Sequence, residues 1–126
     1  MTTAKLDRYI ALALQIDCDG VHPDSDRATA AARMRASLAR IDLAIGGARR
    51  WIGPELKLVV LPEYILSGPP WGETIPEWAA KGAIAPDGPE YDALAKLAQK
   101  HGVFLAGNGY ETDAHFPGLY FQACWV

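Results

Sequence analysis

The sequence predicts an α/β fold in which helices cover a sheet, and three observations lead to this prediction. Apolar segments of strand length alternate with segments of helical periodicity along the 126 residues. Residues 8–17 and 56–61 are apolar almost throughout, which is typical of strands that are buried on both faces. The length corresponds to one domain and allows a core of its own. Strands that alternate with helices therefore favour a layered α/β domain.

The clearest helix is predicted from about Asp26 to Trp51. Apolar residues recur there at spacings of three and four and form one stripe, while Arg33, Ser37 and Arg40 fall off it. The stripe consists of Ala31, Met34, Leu38, Ile41, Ile45 and Ala48. We expect Ser25 or Asp24 to cap the start of this helix, and the Gly53-Pro54 pair to end it.

Four further elements are expected in the second half of the chain. Residues 73–83 should hold a helical turn or two, and residues 85–102 should form a clear helix that Gly102 terminates. The inward side chains of that helix should be Tyr91, Leu94, Ala95 and Ala98. Residues 103–109 and 119–126 are predicted strands. Because the last of these reaches Val126 without a turn or a polar tail, we expect the chain to be the front part of a longer protein.

Composition and charge exclude several classes of function. The net charge is −3, half of the residues are hydrophobic, and the arginines between 27 and 50 resemble the wet face of a helix, so we expect no nucleic-acid partner. No apolar run approaches the about 20 residues that span a bilayer. Asp17 and Asp19 interrupt the first apolar run too early for a signal peptide, so a cytoplasmic protein without a membrane partner is expected. Cys18 and Cys124 lack the spacing of a zinc site, and no disulfide is expected in that compartment.

A carboxylate directly after the second strand is the first candidate site residue. Glu63 follows Pro62 at the end of the apolar strand LKLVVL. In open α/β sheets, ligands bind beyond the carboxyl ends of the strands, and Cys18 and residues 108–111 are expected near the same edge. A solvated turn acid is the alternative that position alone allows. The apolar neighbours on both sides of Glu63 favour instead a desolvated carboxylate that acts as a general base.

These residues carry a resemblance to a known family. The segment LKLVVLPEYILSG resembles the catalytic-glutamate motif of the nitrilase superfamily, the carbon–nitrogen hydrolases. IALALQID resembles the family's opening strand, and the arginine-rich segment resembles its first helix. Residues 88–112 resemble the next helix and strand. HFPGLYFQACWV resembles the strand after that, with Phe121-Gln122 where many members have Tyr-Asn. The Pro-Glu motif alone is moderately specific, and five elements in the right order make the resemblance strong.

The resemblance implies a four-layer α-β-β-α sandwich, of which residues 1–126 are the N-terminal part of a single domain. Members hydrolyse nitriles, amides or carbamoyl compounds with a Glu, a Lys and a Cys, and they need no cofactor or metal. Glu63 would be the general base, the lysine would stabilise the oxyanion, and the cysteine would attack. The lysine and the cysteine would fall beyond Val126, so this chain alone is expected to be inactive. Small nitriles or amides would be the substrates, and the intact protein would be a homo-oligomer.

Other residues are weighed beside Glu63. Tyr64 and Trp71 flank the glutamate loop, and they either line a substrate pocket or pack the loop. Glu111 resembles an acidic position of the family and is taken as structural. Cys18 lies between two aspartates that should raise the pKa of its thiol, which makes it a poor nucleophile, and Cys124 is expected to be a buried apolar residue.

Two other functions stay open at this point. The first is a complete, non-catalytic α/β module that binds a small molecule or a partner, since half a sandwich would expose apolar sheet surface. The second is a small thiol enzyme that uses Cys18. Lys81 comes after Glu63 in the sequence, with a loop between them. A solvated surface role is favoured for Lys81 over a catalytic one.

Overall fold

One four-stranded sheet organises the structure, a computed structural model that describes residues 7–126. The strands are Ile10–Ala13 (β1), Leu56–Val60 (β2), Phe104–Glu111 (β3) and Phe121–Trp125 (β4). The helices are Arg27–Ile52 (α1), Ile75–Lys81 (α2) and Pro89–His101 (α3). The strand order is β1-β2-β3-β4, with β1, β2 and β3 parallel and β4 antiparallel to β3. The predicted α/β class is therefore confirmed.

The helices cover one face of this sheet. Leu12 pairs with Val59, which pairs with Leu105, and these side chains point to the same face because paired residues of adjacent strands share a face. Val59 and Leu105 are buried in the core together with the apolar stripe of α1. The helix-covered side of the sheet is therefore where the core lies.

The opposite face of the sheet, which we call the open face, is largely apolar, and its residues are exposed or half-buried. Leu58 pairs there with Phe104, and Val60 pairs with Ala106. Phe104 is 68% exposed and Val60 is 41% exposed. The open face consists of Ala11, Ala13, Leu58, Val60, Phe104, Ala106, Asn108 and Cys124. A helix layer on one side and an uncovered apolar face on the other correspond to the incomplete sandwich that the resemblance implies.

Helix α1 begins one residue later than the predicted caps allow. Asp26 is the N-cap, and its carboxylate accepts the Thr29 N–H at 2.8 Å. The prediction of Ser25 or Asp24 was wrong, because Asp24 is buried and its two oxygens accept the Arg33 Nε and Nη2 donors at 2.8 Å each. The predicted end is confirmed at Gly53, whose φ of 83° interrupts the helix.

The buried stripe of α1 largely follows the predicted spacing. Met34, Leu38, Ile41 and Ile45 are buried, but Ala30 is buried in place of Ala31. Ser37 was expected off the stripe and is also buried. Burial is tolerated there because its hydroxyl oxygen accepts a hydrogen bond from Arg40 Nη2 at 3.1 Å.

The first strand is shorter and more exposed than predicted. An apolar strand over residues 8–17 with both faces buried was expected, but β1 spans Ile10–Ala13, and only Leu12 in it is partly buried. The physical reason is its place at the edge of the sheet, where it pairs with β2 alone and has one face on the open side. Apolar composition therefore did not report how many faces are covered.

The two later helices form where the sequence predicts them. A capping box of Thr74 and Glu77 begins α2, and Gly102, with a φ of 60°, ends α3 as expected. Leu94 is buried as predicted, whereas Ala95 is exposed. Glu90 is buried instead, because its carboxylate lies 2.5 Å from Arg27 Nη2 at the start of α1.

Candidate functional site

Glu63 lies just beyond the carboxyl end of β2. Leu61 N–H still donates to Ala106 O of β3 at 2.8 Å, so the chain leaves the sheet only two residues before Glu63. The expectation that apolar neighbours desolvate Glu63 was wrong, because the structure of residues 7–126 leaves its side chain exposed. Ile65 and Leu66 turn into the core instead and leave the carboxylate outside. The carboxylate is thus accessible at the edge where α/β proteins bind ligands.

The residue after Glu63 has an unusual backbone conformation. Tyr64 has a φ of 50°, in the left-handed region that bulky residues rarely adopt. Its N–H donates to Asn108 Oδ1 at 2.9 Å, and its carbonyl accepts the Gly68 N–H at 2.7 Å. The carbonyl also accepts the Cys18 thiol at 3.3 Å. Residues from three separate parts of the chain therefore meet around Tyr64.

An aromatic cluster lies beneath this loop. The Tyr64 ring stacks on Tyr110 with centroids 4.4 Å apart, and Trp78 and Tyr120 meet Tyr110 edge-on at 5.9 and 5.0 Å. Burial, together with the nearby Tyr64, Tyr120 and Glu63, raises the pKa of Tyr110, so its phenol stays neutral. Tyr64 thus packs the loop against the core, and its second role, lining a substrate pocket, stays a prediction.

Trp71 lies in a different place from Tyr64. It is 77% exposed and its ring is 6.2 Å from His22. It lines an open groove of about 650 Å³ together with His22, Glu73 and Lys81, and Glu63 does not line this groove. The structure therefore brings Tyr64, but not Trp71, into the packing around Glu63.

Lys81 holds this groove together. Its Nζ lies 2.5 Å from Glu73 Oε1 and donates to the carbonyls of His22 and Asp24 at 2.9 and 3.1 Å. The expected solvated role was wrong, since the side chain is only 12% exposed. Three acceptors occupy the ammonium group, so Lys81 anchors the loop after Glu63 to the segment before α1.

The two cysteines occupy different environments. Burial, with a smaller contribution from Asp19, raises the pKa of the Cys18 thiol, so the reactive thiolate is scarce there. The sequence had assigned that rise to the two flanking aspartates alone. Cys124 was expected to be buried but is exposed, because it lies on the open face opposite Asn108. In the described residues, neither thiol is hydrogen-bonded to Glu63.

Glu111 ends β3 and contacts α3. Its carboxylate accepts a hydrogen bond from the Tyr91 hydroxyl. Burial, and then the Glu111 carboxylate, raises the pKa of Tyr91 above its usual range. The contact ties the end of the strand to the helix, and the structural role of Glu111 stays a prediction.

Asn108 is the residue whose role the sequence did not reveal. Asn108 lies within β3, and its side-chain oxygen accepts the Tyr64 N–H at 2.9 Å. Its only signal in the sequence was an amide between two glycines near the carboxyl edge of a strand. Nothing local indicates that its partner is 44 residues away.

Two further properties bear on the kind of site. Within residues 7–126, no group of three or more His, Cys, Asp or Glu side chains is placed to hold a metal ion. Over the same residues, no helix has both the length and the apolar character that crossing a bilayer requires.

A sheet with helices on one face defines an α/β domain, and the exposed Glu63 lies at its carboxyl edge, the edge where open α/β sheets generally bind ligands. The model of the carbon-nitrogen hydrolase family matches residues 25–126, and the chain therefore belongs to this family. Hydrolysis of carbon–nitrogen bonds is the general activity that the family name describes. Neither the curated proteins nor the solved structures contain a significant match to this chain.

Proposed function

We propose that this chain supplies the general base of an enzyme that hydrolyses a small nitrile, amide or carbamoyl compound. The observation that carries the proposal is the position of Glu63. Its carboxylate is exposed at the carboxyl edge of the sheet, directly before a conformationally fixed tyrosine, and within the segment that the family model matches. A general base must be accessible to the group that it deprotonates, and the exposed position of Glu63 supports that requirement.

In the proposed reaction with an amide, Glu63 removes the proton of a cysteine thiol, and the thiolate attacks the carbonyl carbon. A lysine stabilises the resulting oxyanion. The carbon–nitrogen bond then breaks, and the proton held by Glu63 leaves with the ammonia. Water, deprotonated by Glu63, attacks the thioester and releases the acid and the thiol. No cofactor takes part in this sequence.

The nucleophile and the lysine would come from residues outside this chain. The Cys18 thiol is engaged with the Tyr64 carbonyl, and the Lys81 ammonium is engaged with Glu73 and two carbonyls. We therefore propose that residues 1–126 are the N-terminal part of one domain. A second sheet would pack on the open face, where Phe104 and Val60 are exposed, and complete the sandwich. The intact enzyme would be a homo-oligomer.

The first experiment is the intact mass of the protein from its native source. We expect at least twice the 13.6 kDa of this chain, with downstream peptides that contain a lysine and a cysteine. A mass of 13.6 kDa would contradict the proposal that these residues are part of a larger domain. Ammonia release from amides by the isolated 126-residue chain would contradict it as well.

The second experiment tests Glu63 in that intact protein. We expect Glu63→Gln to lower the rate of ammonia release by roughly 10²–10⁴-fold, the usual contribution of a general base. Glu55→Gln is the matched control, because Glu55 is an exposed glutamate at the other end of β2. Equal activity of the two variants would reject Glu63 as the base.

A further inference from the structure

We propose that Asn108 is a positioning residue for Glu63, an inference that rests on the proposed function of Glu63. The neighbouring Tyr64 is the one non-glycine residue with a positive φ in the part of the chain that the structure describes. A bulky side chain adopts this conformation only where surrounding contacts impose it. The contacts that impose it here therefore also determine where Glu63 points.

The φ angle of Tyr64 sets the direction of Glu63 for a geometric reason. This angle describes the rotation about the N–Cα bond of Tyr64, which joins the Glu63–Tyr64 peptide to the turn of residues 64–68. If Tyr64 relaxed from 50° to the usual value near −60°, the peptide that carries Glu63 would rotate by roughly 110° relative to that turn. The carboxylate would then no longer lie where it does at the edge of the sheet.

Two sets of hydrogen bonds hold Tyr64, one on each side of its Cα atom. On the carbonyl side, Tyr64 O accepts the N–H groups of Ser67 and Gly68 at 3.1 and 2.7 Å and the Cys18 thiol at 3.3 Å. On the amide side, Tyr64 N–H donates to Asn108 Oδ1 at 2.9 Å. Because the peptide group is planar, this second bond fixes the plane that carries Glu63.

The position of Asn108 gives this bond a rigid support. Asn108 lies within β3, the strand that pairs with β2 on one side and with β4 on the other. The bond therefore ties the Glu63–Tyr64 peptide to a strand of the sheet, where Asn108 pairs with Cys124, and not to another loop. A catalytic group needs such support, since a displacement of about 1 Å can cost a hundredfold in rate.

The alternative is that Asn108 only satisfies an N–H group and stabilises the fold. In that case its loss would lower stability, and activity would fall only as the folded fraction falls. A positioning role predicts a fall in kcat of the fully folded protein, with KM unchanged. It also predicts rescue by a variant that keeps the acceptor oxygen.

The experiment compares Asn108→Leu, which removes the acceptor at similar size, with Asn108→Asp, which keeps an oxygen in its place. Gln122→Leu is the control, because Gln122 is an exposed amide on the neighbouring strand β4, where it pairs with Tyr110. In the intact protein, hydrogen exchange of the Tyr64 amide should be about tenfold faster in Asn108→Leu. Its kcat should fall by roughly 10–100-fold, and both effects should be largely absent in Asn108→Asp and in Gln122→Leu.

Unchanged exchange and unchanged kcat in a folded Asn108→Leu protein would overturn the inference, as would a loss that Asn108→Asp does not rescue. If Asn108→Leu does not fold, Asn108→Ala gives the same readouts without overpacking. The Glu63→Gln variant separates the two proposals. An active Glu63→Gln enzyme rejects the proposed function, whereas an inactive one beside a fully active Asn108→Leu rejects only the positioning role.

Discussion

The substitution Gly82→Ala tests the packing that supports the glutamate loop. Gly82 ends α2 with a φ of −101°, so an alanine is compatible with the backbone there. A Cβ atom at this position would lie 2.6 Å from Cε2 of Trp78. Trp78 is fully buried and touches Tyr110, which stacks on Tyr64, so the indole has no free space into which it can move.

The magnitude follows from the rigidity of that environment. Overpacking a filled core costs about 1–3 kcal/mol, because side chains and backbone must shift. For a chain of this size, that loss corresponds to a fall of roughly 4–12 °C in the melting temperature. In the intact enzyme, a displaced Trp78 would also disturb Tyr110 and Tyr64, so kcat should fall as well.

The matched control is the same substitution at Gly47. This glycine lies inside α1, and a Cβ atom there would have no heavy atom within 4 Å. Gly47→Ala should therefore raise the free energy of unfolding by about 0.5–1 kcal/mol through helix propensity alone. Urea unfolding of both variants measures the two effects. If Gly82→Ala unfolds at the same or a higher urea concentration than the wild type, the packing argument is refuted.

Three further predictions concern stability. Arg27→Met should lower the free energy of unfolding by about 3 kcal/mol, because it leaves the buried Glu90 carboxylate without the guanidinium 2.5 Å away. The double variant with Glu90→Leu should recover most of this loss in urea titrations, and a double variant as unstable as the single one would contradict the explanation. Hydrogen bonds from Arg33 hold the pKa of Asp24 below its usual value. The contribution of ionised Asp24 to the free energy of unfolding is therefore fully present above the unfolded pKa of about 3.9. It is lost as the pH falls through the lower pKa that Asp24 has in the folded protein. The stability difference between wild type and Asp24→Asn should then shrink in acid, and a difference independent of pH would refute this. Trp71→Ala should change the free energy of unfolding by less than about 0.5 kcal/mol, since Trp71 is 77% exposed, and a larger loss in the same titrations would show that the loop depends on it.

The elements that the sequence predicts well are those whose signals are local. The stripe of α1 repeats over roughly four to five turns, and Gly53 and Gly102 end α1 and α3 through their own backbone freedom. The Pro-Glu motif likewise lies within a short segment. The motif therefore predicts the end of β2 from local sequence alone, without reference to distant residues.

The errors in the fold arise where a distant partner decides the outcome. Ser25 or Asp24 was the predicted cap, but Arg33 engages Asp24, and Asp26 caps the helix instead. Glu90 is buried because Arg27, 63 residues away, neutralises it. The apolar residues of β1 do not report that one face of the strand stays open.

The site shows the same division between local and distant signals. The position of Glu63 follows from its motif, but its exposure depends on how Ile65 and Leu66 turn into the core. A left-handed conformation is usually indicated by glycine or asparagine, so nothing marks it at Tyr64. Asn108 imposes it from another strand, and that contact exists only after the sheet has formed.

The parallel pairing of β1 with β2 has a consequence during synthesis. Ile10 pairs with Leu56, so β1 emerges from the ribosome long before its partner does. At 5–20 residues per second, the interval is about 2–9 seconds. Helix α1 can form in that time from local contacts, whereas β1 remains an unpaired apolar segment that a chaperone could bind. A ribosome that stalls before Val60 would therefore hold a nascent chain in which the sheet cannot begin.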